Sequence, residues 1–142
     1  MPDLAARWQA DAIDLKSDVL SILIGINDYW HTIAFGSKYK GTVEDYEKGY
    51  RDLVKRSRKE IPDVHVVICE PFTLRDWPQF DPYRAVAKKL ADELKLPFVP
   101  FQQAFDDAAK AAPKEFWLWD GIHPTPAGHA LMVRAWRRAV GV

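Results

Sequence analysis

Two short apolar runs constrain the fold of this chain more than any other feature: Val19-Leu20-Ser21-Ile22-Leu23-Ile24, closed by Gly25, and Val64-His65-Val66-Val67-Ile68-Cys69, closed by Glu70-Pro71. Each is rich in β-branched residues, too short for a stable helix, and lacks the regular apolar-polar alternation of a strand with one wet face. Both therefore read as strands covered on both faces. Such strands belong to parallel sheets, whose crossover connections lay helices over the two surfaces. The segments between the runs are then expected to be helical.

Their periodicity agrees. Leu4, Ala5, Trp8, Ala12 and Leu15 recur at three- and four-residue steps, as on one face of a helix. Thr42 and Asp45 have the spacing of a capping box, followed by the stripe Val43, Tyr46, Tyr50, Leu53, Val54, Ser57 and Ile61. Asp81 as N-cap, with Pro82 at the first helical position, opens a helix carrying Tyr83, Val86, Ala87, Leu90 and Leu94. Leu96 to Phe101 supplies a third short strand and Gln102 to Ala111 a helix. The Trp-rich loop Phe116-Trp117-Leu118-Trp119 leads to a last helix capped by Thr125, with Ala127, Ala130, Leu131, Ala135 and Ala139 facing inward. This order predicts an α/β chain folded as a three-layer α/β/α sandwich around a parallel sheet, without internal repeat or linker.

At 142 residues with 48% hydrophobic and 13% aromatic content, the chain suffices for one domain with one proper core. Twenty basic residues balance twenty acidic ones, which argues against nucleic acid or an anionic membrane as partner. No apolar stretch approaches the roughly 18 residues of a membrane span, and the N-terminus lacks a basic-then-apolar signal layout. A soluble chain is expected, cytoplasmic by default, with localisation open. The single cysteine, Cys69, excludes an internal disulfide framework and reads as a small buried hydrophobe. His123 and His129 stand in an H-x5-H arrangement without the partners of a zinc site. No metal and no cofactor is expected.

In a parallel sheet flanked by helices, ligands bind beyond the carboxyl ends of the strands, and two polar clusters fall there. In Gly25-Ile26-Asn27-Asp28 the glycine lets the backbone turn, and the Asn27 amide can donate to a developing oxyanion; the plain alternative is that Asn27 and Asp28 cap the turn. In Asp120-Gly121-Ile122-His123-Pro124 the spacing can bring the Asp120 carboxylate to one imidazole nitrogen and leave the other as a base. Its plain alternative is a loop aspartate with a capping histidine. Asp28, Tyr29, Trp30 and Trp119, with Trp77 and Trp117, are candidates to line a substrate pocket or to close the top of the core.

Together, a strand followed by G-x-N-D and a late D-G-x-H-P before the terminal helix resemble the GDSL, or SGNH, hydrolases. The resemblance runs from about Asp18 to Val142 and includes Glu70-Pro71 after the second strand. It implies a flavodoxin-like α/β/α fold and a serine ester hydrolase acting on a small-molecule ester. Asn27 would be the side-chain oxyanion donor, with Gly25 in the same turn, His123 the general base and Asp120 its orienting partner. Small acyl esters, acetylated carbohydrates, lysophospholipids and thioesters all stay open as substrates.

The family's first blocks, a strand ending in G-D-S with its nucleophilic serine and a later oxyanion-hole glycine, have no counterpart here. Of Ser17, Ser21, Ser37 and Ser57, none follows a strand at the sharp turn a nucleophile needs; only Ser37, after Gly36, could approach the site. The expectation is one domain over residues 1–142 that lacks an N-terminal strand-helix-strand unit, which takes roughly 30 or more residues. The strand at 19–24 would then have a bare edge and invite self-association. The competing reading is an inactive, truncated homologue serving as a binding or structural module.

Overall fold

The two apolar runs become neighbouring strands of one sheet in the computed structural model, which describes residues 1–142. Strand β1 (Val19–Leu23) pairs in parallel with β2 (His65–Cys69), in register from Val19 opposite His65 to Leu23 opposite Cys69. Strand β3 (Phe98–Val99) pairs in parallel with the other side of β2, so the order is β1-β2-β3 and β1 is an edge.

Seven α-helices surround the sheet: α1 (Pro2–Trp8), α2 (Ile26–Phe35), α3 (Val43–Glu60), α4 (Asp81–Leu94), α5 (Phe101–Ala109), the single turn α6 (Lys114–Trp117) and α7 (Pro126–Val140). A π-helical stretch, Gln9–Ile13, extends α1. The capping box at Thr42 and Asp45 is present in both directions, and the Thr125 hydroxyl accepts from the Gly128 N–H at the start of α7. Helix α4 begins one residue earlier than expected, with Phe80 in the N-cap position. Helix α2 was not expected: its aromatic residues read as loop, yet Ile26, Trp30 and Ile33 keep a helical spacing behind the glycine turn.

Alternate residues of the strands enter two cores, which is what makes the fold three-layered. On one face Ile22, Val66 and Ile68 pack under Trp8, Tyr46, Tyr50, Leu53, Tyr83 and Leu90 from α1, α3 and α4. On the other face Val67, Cys69 and Val99 meet Phe101 and Phe105 of α5 and Leu118, with Leu131, Met132, Ala135 and Trp136 of α7 half-buried against them. The inward stripe expected for α7 is therefore only partly right. Ala130 is exposed, and the larger Met132 and Trp136 carry the contact.

The expectation of a first strand covered on both faces needs the same kind of correction. Ile22 is buried, but Val19 is 46% and Leu23 41% exposed. The physical reason is that α7 reaches this face through the indole of Trp136, which donates to the Ser21 hydroxyl at 2.9 Å, and no strand flanks β1 on its outer side. The apolar composition of the run thus exceeds the cover that these residues provide.

The buried Trp8 indole donates to Ser57 Oγ at 3.0 Å, and that hydroxyl donates to the Leu53 carbonyl at 2.8 Å. Ser57→Ala should cost about 1–3 kcal/mol in urea unfolding by stranding the indole N–H. Sedimentation velocity should show association that grows with protein concentration and is relieved by Leu23→Lys, because an exposed apolar edge pairs readily and a lysine blunts it; a concentration-independent monomer would rule the edge out as an interface.

Candidate active site

The first wall of the site is fixed where β1 ends. Gly25 has φ +127°, and a Cβ there would stand 3.0 Å from the Tyr46 hydroxyl and 3.2 Å from Pro71 Cγ. A side chain there would be strained by the backbone conformation and would crowd both neighbours. The phenols of α3 hold the approaching backbone: Tyr46 donates to the Ile24 carbonyl at 3.1 Å and Tyr50 to the Ile22 carbonyl at 2.9 Å. Burial pushes both phenols further up from their ordinary range, so both remain donors. Helix α2 starts directly behind, with Gly25 as an N-cap that contributes no side-chain bond. This places Asn27 in a helical first turn, where the dipole favours negative charge, and puts Asn27 and Trp30 on one face.

The second wall is the loop before α7. The Trp119 N–H donates to the His123 carbonyl at 2.8 Å and closes the loop, while Gly121 turns it at φ +84°. Asp120 Oδ1 accepts the backbone N–H groups of Ile122 and His123, both at 3.0 Å. The carboxylate also faces the ring of His123, whose Nδ1 lies 3.2 Å from Oδ1 and 3.1 Å from Oδ2. The backbone N–H of His123 does most to hold the carboxyl down at about 2; burial opposes it, and the Ile122 N–H and the imidazole itself add to the lowering. An ionised carboxylate only accepts, so Nδ1 is the donor and Nε2 is left free. The His123 side chain is 74% exposed.

A third contributor escaped the sequence reading. Arg75, in the segment after β2, donates from Nε to the Asp120 carbonyl at 2.7 Å and from Nη2 to Asp120 Oδ2 at 2.9 Å. Its segment is itself tied to the loop: the Leu74 N–H and the Thr73 hydroxyl both donate to the Gly121 carbonyl, at 2.8 and 3.0 Å. A lone arginine belongs to no motif. Its position beyond the carboxyl end of a central strand was the available signal.

These walls meet. Asn27, Trp30, Arg75, Asp120, Ile122 and His123 line one cleft of about 350 Å³, so the two polar clusters share a rim of the sheet. Other candidates lie elsewhere. Asp28 is buried and turned away along α2, where it accepts from the Met1 amine at 2.5 Å. Tyr29 is a core residue packed on Trp77, Phe80 and Tyr83. A helix advances about 100° per residue, which turns Asp28 and Tyr29 off the cleft; Asp28 shares with Gly25 and Asn27 a separate hollow of about 370 Å³ that does not contain His123. Trp119 is 67% exposed and is not among the residues lining the cleft. A larger hollow of about 520 Å³, lined by Asp28, Tyr39 and Asp45, contains neither Asn27 nor His123.

The other reactive groups are set apart from this cleft. Burial raises the Cys69 thiol to about 12, and His129 is exposed on α7. No group of three or more His, Cys, Asp or Glu side chains is arranged to hold a metal ion, and no helix is long and apolar enough to cross a membrane. No serine lines the cleft: Ser21 is tied to Trp136, Ser57 is buried in α3, and Ser37 sits in the 3-10 turn after α2. The arrangement supplies an amide donor and an oriented imidazole to one cleft, which suits acyl transfer.

Comparison with known proteins agrees with this reading of the fold. The chain is 33% identical to an acetylxylan esterase from Geobacillus stearothermophilus over 98% of its own length and 66% of the esterase, so it spans about two thirds of that relative. A solved structure described as a GDSL-like lipase, from Parabacteroides merdae, superposes with TM-score 0.93 at 47% identity, covering 99% of this chain and 67% of that one. An alpha/beta hydrolase from the metagenome of Lake Arreo superposes with TM-score 0.87 at 32% identity over the same shares. The model of the GDSL-like Lipase/Acylhydrolase family matches residues 1–131, and the chain belongs to that family.

Proposed function

We propose that this chain supplies the oxyanion amide and the general base of an ester hydrolase that passes an acyl group to serine and then to water, with small acetylated carbohydrates as substrates. The observation that carries this reading is the common cleft of Asn27 and His123, with Asp120 on the far side of the imidazole. Support comes also from the Geobacillus esterase, described as acting on acetyl-xylooligosaccharides. Its solved structures include catalytic mutants at a serine, an aspartate and a histidine. That aspartate and histidine are three positions apart, like Asp120 and His123. A further mutant alters the tryptophan directly before that aspartate, where this chain has Trp119.

In this mechanism the ester carbonyl enters between amide and imidazole. As the carbon becomes tetrahedral its oxygen gains charge, and Asn27 donates to it at the positive end of α2. His123 Nε2 takes the proton of the attacking hydroxyl and returns it to the departing alkoxide. Asp120 keeps the proton on Nδ1 and remains anionic.

The serine is supplied by a strand-helix-strand unit outside these residues, paired with the free edge of β1. A parallel neighbour lies about 4.8 Å away, so its carboxyl end would stand beside Gly25 at the mouth of the cleft. Such a unit would also cover Val19 and Leu23.

The test is acetate release from p-nitrophenyl acetate and acetylated xylo-oligosaccharides. The chain alone should turn over slowly and His123→Ala should fall to background. With the serine-bearing unit joined, the rate should rise by several powers of ten and Asn27→Ala should lower kcat by about 10²- to 10³-fold. Turnover that His123→Ala leaves unchanged overturns the assignment and favours a non-catalytic binding module, the reading to which a cleft without serine points. An in-frame Gly-Asp-Ser in the coding DNA upstream of Met1 would supply the nucleophile.

The pH dependence has a defined sign. The Asp120 carboxyl is depressed in the folded chain to about 2, so its hydrogen bonds are fully formed above its ordinary range and are lost as pH falls through about 2. Carbon NMR of the Asp120 carboxyl should show a midpoint there.

A further inference from the structure

We propose that Arg75 is a positioning residue that holds Asp120 in the one orientation from which it fixes the tautomer of His123. The inference rests on the reading of His123 as the base and Asp120 as its partner, and adds a residue that neither cluster contains. It starts from a difficulty. An orienting carboxylate works by being immobile, and burial is the usual means of achieving that; here the Asp120 side chain is 41% exposed. An aspartate in that setting can rotate toward water and abandon the ring, because water satisfies its oxygens as well as imidazole does.

Arg75 removes that freedom by gripping two groups of one residue. Nε holds the Asp120 carbonyl and Nη2 holds Oδ2, at 2.7 and 2.9 Å, so backbone and carboxylate are fixed relative to each other. Oδ1 is meanwhile occupied by the N–H groups of Ile122 and His123. With both oxygens engaged, the carboxylate plane stays turned to Nδ1.

The arginine is itself held. Its guanidinium lies 5.1 Å from the centre of the Trp77 ring, a favourable cation-π placement. Its N–H donates to the Thr73 hydroxyl, which donates onward to the Gly121 carbonyl. Gly121 makes room for it: a Cβ there would come within 2.8 Å of Arg75 Cγ. The flat fork of arginine is needed, since an ammonium is a point charge that cannot span a carbonyl and a carboxylate in fixed geometry.

The test reads the proton on His123 directly and needs no turnover. Nitrogen-15 NMR of the histidine side chains of the 142-residue chain, assigned with His123→Ala and recorded where the imidazole is neutral, reports which ring nitrogen carries hydrogen. In the wild-type chain the Nδ1-protonated form should dominate. In Arg75→Gln and Arg75→Lys alike it should fall to a minority, approaching Asp120→Asn, while the backbone spectrum outside residues 73–77 and 118–124 stays in place.

Rescue by lysine would mean that charge alone acts and would overturn the positioning role, and unchanged tautomer populations in both variants would overturn it as well. If the chain joined to the serine-bearing unit turns over no ester while the 142-residue chain shows the tautomer shift, the proposed hydrolase falls and Arg75's action on His123 stands. A working hydrolase with no shift would do the reverse.

Discussion

The site depends on one tie between loops: the carbonyl of Gly121 accepts from both the Leu74 N–H and the Thr73 hydroxyl. Neither loop belongs to the sheet, and each would otherwise wander on the surface, as connecting segments do. The tie gives the loop before α7 a fixed place over the end of β2, which is itself registered on β1. From that chain of contacts the distance between the turn at Gly25 and the imidazole is determined. A second fastening, the Thr125 hydroxyl donating to the Phe116 carbonyl at 2.7 Å and accepting from Gly128, sets where α7 begins and keeps His123 just ahead of it.

The elements that could be read from sequence are those in which local preference and tertiary packing ask for the same thing. Helix α3 is the clearest case, since its capping box, its stripe and its burial agree. The two long strands were legible for the same reason. Where one signal had to stand alone, the reading slipped. Helix α2 was hidden because Tyr29 and Trp30 look like loop aromatics behind a glycine turn, whereas one belongs to the core and the other to the cleft. The cover over β1 was overread because an apolar composition reports what a strand is suited to contact, not what these residues place against it.

At the site, the pair that carries a sequence motif was visible and the residue that stabilises it was not. Asp120 and His123 are three apart, so spacing alone suggests their contact. Arg75 lies 45 positions from Asp120, and nothing local marks it. Only the parallel pairing of β1 with β2, followed by a chain segment returning over the strand ends, brings the guanidinium to the carboxylate. Long-range polar contacts between loops are fixed by topology, and a single sequence carries topology only through its repeating pattern of strands and helices.

The number of donors around Asp120 also bears on which of the pair can act as a base. A carboxylate that accepts from two backbone N–H groups, an imidazole and a guanidinium is a poor base, because each donor stabilises the charged form more than the neutral one. With the carboxyl held at about 2, it cannot take a proton from the imidazole at ordinary pH. Its contribution is therefore orientation and charge. In the proposed hydrolase, proton exchange with a substrate would belong to Nε2, the nitrogen left without a partner within the loop. The exposure of the pair is thus no obstacle to a fixed geometry: the donors that crowd the carboxylate replace the burial that would otherwise keep it still.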